Sequence, residues 1–245
     1  MDFWNAYCMV SYISSIFQNW YQDYARGQEL LTAAHCYDPQ DYPNFPNTKV
    51  RVAFLQWSSK PSVGQTRWMT NVVLHPSYTN QTWDYDLAIV ELDKALHLTG
   101  PNAKAIRLPS PYDQVRPGNF LIVMGWGGAV VGVHDDQLMT TNELRKVQLT
   151  VKNPKQCGVV PSYQFCAEGT KPNSGHCKGD SGGPLVPIGN TAKLLGVVSS
   201  RDGYFCAVGI GRYTHVPDHL GFISKEGYKY GYPKVAEYFT DPNAG

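Results

Sequence analysis

Short apolar or β-branched runs separated by turn-forming residues recur along the chain. Seven of them stand out: Val50 to Leu55, Asn71 to Leu74, Leu87 to Leu92, Phe120 to Met124, Arg145 to Val151, Lys193 to Ser199 and Gly211 to His215. Runs of this length and spacing are typical of strands in an all-β sandwich or barrel. Helical periodicity is weak until Pro217, where we predict a short helix with proline at its first position.

Composition agrees with many short strands and turns. The 245 residues include 23 Gly and 17 Pro, and only 17% are charged, which argues against disorder, coiled coil and collagen. The net charge is +1 and basic residues do not cluster, so nucleic-acid binding is not supported. No apolar stretch reaches the roughly 18 residues of a membrane-spanning helix, so we expect no membrane association.

A proline-rich segment divides the strand-rich part of the chain. His97 to Gly118 carries four prolines and is predicted to connect two β units of similar size, about 1–105 and 118–215. Four tyrosines crowd the last 20 or so residues, and the tail 224–245 is interpreted as an appended segment packed on the body, with a binding tail as the alternative.

The cysteine count points to an oxidising compartment. Six cysteines predict three disulfides, although six buried free thiols remain an alternative. No CxxC pair or HExxH run is present, so a zinc site is not supported. Residues 1–17 lack the basic start and apolar core of a secretory signal.

Three segments carry candidate chemistry. Ser181 lies within Gly179-Asp180-Ser181-Gly182-Gly183-Pro184-Leu185, where glycines let backbone N–H groups converge on a developing oxyanion. His35 ends the run Leu31-Thr32-Ala33-Ala34-His35, and Asp86 precedes the apolar run that begins at Leu87. A serine nucleophile needs a base with a pKa near 7, and the base needs a buried carboxylate to orient it.

The sequence resembles the chymotrypsin-like (trypsin-fold, S1) serine endopeptidases through TAAHC, DLAIVEL, GWG and GDSGGPL, in the order His, Asp, Ser. The resemblance implies one protease domain over 1–223, built of two packed six-stranded antiparallel β-barrels with a short C-terminal helix. It also implies peptide-bond hydrolysis through an acyl-enzyme in the cleft between the barrels, without a cofactor or metal.

The resemblance assigns roles residue by residue. His35 is the expected general base, Asp86 its orienting carboxylate, with Asp84 as the rival, and Ser181 the nucleophile. The N–H groups of Gly179 and Ser181 are the expected oxyanion hole. Asp180 resembles the zymogen-switch carboxylate that pairs with a newly freed α-amino group.

The expected specificity pocket departs from trypsin. Gly175 stands where trypsin-like enzymes carry aspartate, so cleavage after Lys or Arg is not expected. The other expected substrate-binding residues are His176, Ser199, Ser200, Arg201 and Gly211. Arg201 either projects inward, narrowing the pocket or offering charge to an acidic side chain, or points outward and leaves the pocket open and apolar. We expect a chymotrypsin- or elastase-like preference, with His176 as a helper for acidic substrates or solvent-facing.

The N-terminal region departs from the family as well. Only 34 residues precede His35 and no Ile-Val-Gly-Gly occurs, so we expect a truncated or divergent N-terminus and activation of a longer precursor. The family pattern pairs Cys157 with Cys166 and Cys177 with Cys206. Cys8 is the leftover candidate partner of Cys36, and two free thiols are the alternative.

The remaining expectations concern location and partners. We expect an extracellular monomer acting on peptide or protein substrates and open to protein inhibitors, glycosylated at Asn80 of the sequon Asn80-Gln81-Thr82 if secreted. The stretch Trp57 to Val72 holds no acidic residue, so a calcium loop is not expected. The competing hypothesis is a catalytically impaired homologue that serves as a binding or regulatory module.

Overall fold

The structure is a computed structural model, and it describes residues 11–14, 28–39, 48–60, 63–98, 102–130, 134, 140–157, 163–189, 192–203 and 205–228. Cys8 and residues 229–245 of the tyrosine-rich tail lie outside the described residues. The pairing of Cys8 with Cys36 and the division of the chain into a protease domain and a tail therefore stay predictions.

The first β unit is a six-stranded sheet. Its strands are β1 (Ser11–Ser14), β2 (Glu29–Thr32), β3 (Lys49–Val52), β4 (Gln65–Leu74), β5 (Ala88–Leu92) and β6 (Ile106–Arg107). They lie in the order β3-β4-β5-β2-β1-β6, and all neighbours are antiparallel except β1 and β6, which run parallel. No pairing closes this sheet into a barrel among the described residues, so it forms a curled half-barrel.

The second β unit is a closed antiparallel barrel. Its strands are β7 (Phe120–Gly125), β8 (Arg145–Val151), β9 (Gln164–Gly169), β10 (Pro184–Pro187), β11 (Gly196–Arg201) and β12 (Gly211–His215). They close in the order β10-β11-β12-β9-β8-β7. The expected all-β trypsin-like fold with a short C-terminal helix is confirmed. Of the two expected six-stranded antiparallel barrels, the second is closed, and the first is a curled half-barrel with one parallel strand pair.

The C-terminal helix packs between the two units. Pro217 lies at the start of a 3-10 turn, Val216–His219, which leads into helix α1 (Leu220–Tyr228). Phe222 and Ile223 of α1 share a buried cluster with residues from both units. Their partners include Leu31, Ile89, Leu194 and Val197. Because burying apolar surface is the main stabilising term in folding, this cluster joins the sheet, the barrel and the helix.

The connection between the units is fixed to both of them. β6 pairs with β1 of the first unit, and the N–H of Leu194 donates to the carbonyl of Arg107 at 2.9 Å. Lys193 also forms an ion pair with Asp113 at 2.8 Å. These contacts hold the proline-rich segment against the barrel, where a free linker would leave its backbone groups to water.

Candidate active site

His35 and Asp86 meet because of the strand pairing in the first unit. In the β2–β5 ladder Thr32 lies opposite Ala88. His35 follows β2 in a 3-10 turn (Ala34–Tyr37), and Asp86 comes two residues before β5. The buried small side chains of Ala33 and Ala34 let this turn lie close to the ends of the strands. The two functional side chains therefore emerge at the same edge of the sheet.

The imidazole of His35 and the carboxylate of Asp86 are directly hydrogen-bonded. His35 Nδ1 lies 2.7 Å from Asp86 Oδ2, and the backbone N–H of His35 donates to Asp86 Oδ1 at 2.9 Å. An ionised carboxylate only accepts hydrogen bonds, so Nδ1 carries the proton. The other ring nitrogen, Nε2, is then the one that can accept a proton.

Two side chains of the second unit complete the surroundings of Asp86. Ser199 Oγ on β11 donates to Asp86 Oδ2 at 2.6 Å, and Thr214 Oγ1 on β12 donates to the Asp86 backbone carbonyl at 2.9 Å. Asp86 is fully buried. A buried carboxylate is costly unless its lone pairs are satisfied, and these donors satisfy them. Ser199, expected in the pocket wall, thus contacts the candidate catalytic carboxylate.

The rival carboxylate, Asp84, lies elsewhere. It is half-buried and accepts a hydrogen bond from Thr82 Oγ1 at 2.7 Å. Burial and the neighbouring Asp84 carboxylate both raise the pKa of Tyr163, which places Asp84 beside that phenol. The structure brings Asp86, and not Asp84, to the imidazole.

An indole ring covers one face of the imidazole. Trp83 stacks on His35 with ring centroids 4.1 Å apart and an angle of 2° between the planes. Trp83 has a positive φ of 55°, and its carbonyl accepts a hydrogen bond from Gln164 Nε2 at 3.1 Å. Sequence reasoning did not identify this contact, because a lone aromatic residue before an acidic segment gives no periodic signal.

The loop around Ser181 presents two backbone N–H groups. Gly179 has a φ of +96°, a conformation that favours glycine. The N–H of Asp180 donates to the Cys177 carbonyl at 3.0 Å, whereas the N–H groups of Gly179 and Ser181 donate to none of the described residues. Both N–H groups are therefore available as donors, which an oxyanion hole requires.

Asp180 is buried beneath this loop and held by backbone donors. The N–H of Gly127 donates to Oδ1 and that of Cys177 to Oδ2, both at 2.8 Å. A Cβ on Gly127 would lie 2.5 Å from Asp180 Cγ, so only glycine permits this approach. Burial raises the pKa of Asp180 to about 6, against the opposing effect of the two N–H groups.

A cavity of about 180 Å³ adjoins the Asp180 carboxylate. Its lining includes Gly125, Gly128, Arg145, Lys146 and Cys177. The cavity therefore connects the loop that carries Ser181 with strands β7 and β8 of the barrel.

The residues expected to form the specificity pocket come together, with two exceptions. Gly175, His176, Arg201 and Gly211 line one small cavity together with Tyr213. Ser199 and Ser200 are absent from the described lining of that cavity. Arg201 lines this cavity, and its charge acts on the buried His176, which favours the inward alternative for its side chain. His176 is buried, and the solvent-facing alternative is likewise not realised.

Both disulfides implied by the family pattern in the second unit are present. Cys157 is bonded to Cys166, and Cys177 to Cys206. No free cysteine occurs in the part of the chain that the structure describes. The second disulfide fixes Cys177, whose N–H group holds Asp180, and thereby stiffens the base of the Ser181 loop.

The family model described as Trypsin matches residues 25–223, which include His35, Asp86 and Ser181. The chain belongs to the trypsin family of serine endopeptidases.

Relatives of this trypsin-family chain include proteins of very different length. It is 29% identical to human atrial natriuretic peptide-converting enzyme over 203 residues, which is 81% of the chain and 19% of the relative. It is 32% identical to mouse transmembrane protease serine 11G over 182 residues, 70% of the chain and 40% of the relative. With trypsin from Phaedon cochleariae it shares 29% identity over 80% of the chain and 74% of the relative.

Among solved structures, human heparin binding protein shares the fold with a TM-score of 0.70 at 23% identity. The match covers 85% of this chain and 84% of that one. At this identity the similarity establishes the fold alone.

Candidate metal ligands do not cluster in the described residues, which contain no group of three or more His, Cys, Asp or Glu side chains arranged to hold a metal ion. Helices long and apolar enough to span a bilayer are absent from the same part of the chain. Asn80 is half-buried, and its glycosylation stays a prediction.

Proposed function

We propose that this chain is a serine endopeptidase in which Ser181 is the nucleophile, His35 the general base and Asp86 the orienting carboxylate. The observation that carries the proposal is the buried Asp86 carboxylate, which binds both the ring and the backbone N–H of His35. This arrangement fixes the tautomer in which Nε2 can accept the hydroxyl proton of Ser181. It also stabilises the imidazolium that forms during the reaction.

The Ser181 loop supports the same chemistry. As the hydroxyl oxygen attacks the scissile carbonyl, negative charge develops on the carbonyl oxygen. The N–H groups of Gly179 and Ser181 are the proposed donors to that oxygen, and one such donor is typically worth roughly 10²–10³-fold in rate. His35 then donates its proton to the leaving amine, and water releases the acyl group by the same steps in reverse order.

Asp180 is proposed as the residue that sets the shape of this loop. Its carboxylate binds the N–H of Cys177, and its own N–H donates to the Cys177 carbonyl, so the turn before Ser181 is closed on both sides. The cavity beside the carboxylate has room for a cationic group. A cation there would offset the desolvation of Asp180, which is the basis for proposing it as the switch between zymogen and active forms.

We further propose an extracellular location, peptide or protein substrates, and control by protein inhibitors. Two disulfides in the described residues support an oxidising compartment. The specificity proposed is not for Lys or Arg, because Gly175 offers no negative charge at its position.

A second candidate function is a catalytically impaired homologue that binds partners without cleaving them. One observation favours it: the cavity formed by the expected pocket residues has a volume of only about 10 Å³. A substrate side chain of ordinary size does not fit such a space.

Hydrolysis of a fluorescence-quenched, denatured protein substrate tests the proposal. The unmutated chain is expected to cleave it, and Asp86→Asn to lower the rate by roughly 10⁴-fold, because the wrong imidazole tautomer is then favoured. Asp84→Asn is the matched control and is expected to retain the rate. Equal rates for the two variants, or no cleavage by the unmutated chain, would favour the second candidate.

A further inference from the structure

The cavity at the expected specificity site is lined both by glycines and by residues with large side chains. Gly175 and Gly211 have no side chains and, by themselves, would leave a slot beside β11 and β12. Side chains of other residues enter this slot. The volume that remains depends on His176, Arg201 and Tyr213.

His176 occupies the space beside Gly211. A Cβ on Gly211 would lie 2.7 Å from His176 Cε1 and would also meet the hydroxyl of Tyr213. His176 Nδ1 is hydrogen-bonded to that hydroxyl at 2.8 Å, and the two rings meet edge to face with centroids 5.2 Å apart. Only 6% of His176 is exposed. The ring is therefore part of the packed interior and not a mobile group at the rim.

Arg201 enters the same cavity from the opposite strand. It pairs with Gly211 in the β11–β12 register, where cross-strand side chains lie on the same face. Arg201 and Gly211 both line the cavity. Its Nη1 reaches the carbonyl of Val208 at 3.5 Å. The next residue, Asp202, pairs instead with Arg212, away from the cavity lining.

The charge state and the burial of His176 are consistent with a closely packed cavity. Burial, together with the nearby positive charge of Arg201, lowers the pKa of His176 to about 3. His176 is thus neutral at physiological pH, and its ring packs as an uncharged group. A neutral buried ring hydrogen-bonded to Tyr213 cannot move into water without leaving that hydroxyl unpaired.

The remaining space is about 10 Å³, about what one water molecule needs. We propose that this pocket restricts the substrate to glycine, alanine or serine at the residue whose carbonyl Ser181 attacks, and that His176 and Arg201 set this limit. The inference rests on the proposed function, since it names the substrate class of that same site. The expected preference was chymotrypsin- or elastase-like, and the inference narrows it to substrates with the smallest side chains.

Binding of aromatic probes tests the filled pocket without requiring catalysis. Indole and benzamidine are titrated into the unmutated chain and into Arg201→Ala, His176→Ser and the double variant, and binding is followed by ligand-observed NMR. We expect no saturable binding to the unmutated chain and saturable binding to the double variant. Arg212→Ala is the matched control, because its ion pair with Asp202 lies away from the cavity, and it should behave like the unmutated chain. Saturable binding to the unmutated chain would overturn the inference.

Reaction with phosphonate esters that carry alanine, phenylalanine, lysine or aspartate side chains tests the substrate class. The alanine ester is expected to react roughly 10–200-fold faster than the others, a range typical of small differences in an apolar pocket. In Arg201→Ala the preference over phenylalanine should shrink, whereas in Arg212→Ala it should not. Equal or faster reaction of any larger side chain with the unmutated chain would contradict the inference. If no ester reacts, the proposed function fails, and the binding experiment alone decides whether the pocket is filled.

Discussion

Individual side chains around Asp86 decide whether the candidate triad is held in place. Ser199 and Thr214 come from the barrel, while His35 and Asp86 come from the sheet, so one carboxylate joins both units. The sequence predicted Asp86 from the Leu-Ala-Ile that follows it, yet placed Ser199 in the pocket wall. The alternation along a strand predicts on which face of the sheet a side chain lies. It does not predict which group from another segment the Ser199 hydroxyl will contact.

Ser199→Ala removes one donor to a fully buried carboxylate. Because hydrogen bonds to charged groups contribute about 1.5–3 kcal/mol, the free energy of unfolding should fall by about that amount in urea titrations. Ser200→Ala, the half-buried neighbour, is the matched control and should change it little. Equal losses for the two variants would show that Ser199 acts only through packing.

Buried histidines give the stability a defined dependence on pH. Burial lowers the pKa of His219 to about 4 from the usual 6.5, and its Nε2 has no hydrogen-bond partner among the described residues. The unfolded chain then binds more protons than the folded one below pH 6.5, so stability falls as pH drops from 6.5 towards 4. The pKa of Asp180 is raised from 3.8 to about 6, so its contribution to stability has the opposite dependence on pH. That contribution falls as pH rises from 3.8 to 6.

His219→Phe isolates the contribution of this histidine. Between pH 7.5 and 4.5 the variant should lose about 2 kcal/mol less stability than the unmutated chain, measured as the free energy of unfolding in urea. His97→Phe, at an exposed position, is the control and should follow the unmutated curve. Parallel curves for all three proteins would contradict the role of His219.

At the scale of elements, the guanidinium of Arg51 organises the loop after β3. The guanidinium of Arg51 donates to the carbonyls of Ser59, Lys60 and Val63 at 2.8–2.9 Å. It also stacks over Phe54, which in turn stacks on Trp126 of the other unit. The lack of acidic residues in this stretch predicted that it is not a calcium loop, but no sequence pattern indicated that an arginine would bind its carbonyls.

Arg51→Met should loosen this loop, since four carbonyls, including that of Trp57, lose a donor at once. We expect amide hydrogen exchange of residues 54–60 to accelerate at least roughly tenfold, because exchange follows local opening. Arg116→Met, an exposed arginine bound to Gln114, is the control. Unchanged exchange in Arg51→Met would show that the aromatic contacts alone hold the loop.

Strands with clear alternation or β-branched runs were the ones that the sequence predicted. The runs at Phe120, Arg145 and Gly211 correspond closely to β7, β8 and β12. The strands that were not predicted are short, rich in turn-forming or polar residues, or directly adjacent to a motif; they are β1, β2, β6, β9 and β10. These segments form strands because they pair with strands that are distant in sequence.

At the scale of the whole molecule, helix α1 closes the buried cluster between the two units. Phe222→Ala should lower the free energy of unfolding by about 3–5 kcal/mol, as is typical for truncating a buried aromatic residue. Lys225→Ala, on the exposed side of the helix, should have little effect, as measured by thermal and urea unfolding. A small loss for Phe222→Ala would mean that the helix contributes little to joining the units.

The family order of His, Asp and Ser predicted the overall architecture and the three candidate catalytic residues. It left open whether Arg201 narrows the pocket, because His176 and Arg201 come to line one cavity only after β11, β12 and the segment before Ser181 have come together. Nor did it predict the stacking of Trp83 on His35, which depends on a loop with positive φ at Trp83 and Tyr85. Both the cavity lining and the ring stacking are formed by side chains that are distant in sequence, so local sequence patterns do not predict them.

Covalent labelling with a fluorophosphonate shows whether Ser181 is an activated nucleophile. A serine activated by an adjacent base reacts with such a probe, whereas ordinary serine hydroxyls do not. We expect one adduct per chain by intact mass, mapped to the Ser181 peptide and absent from Ser181→Ala. An unmodified chain, or an adduct that persists in Ser181→Ala, would contradict it.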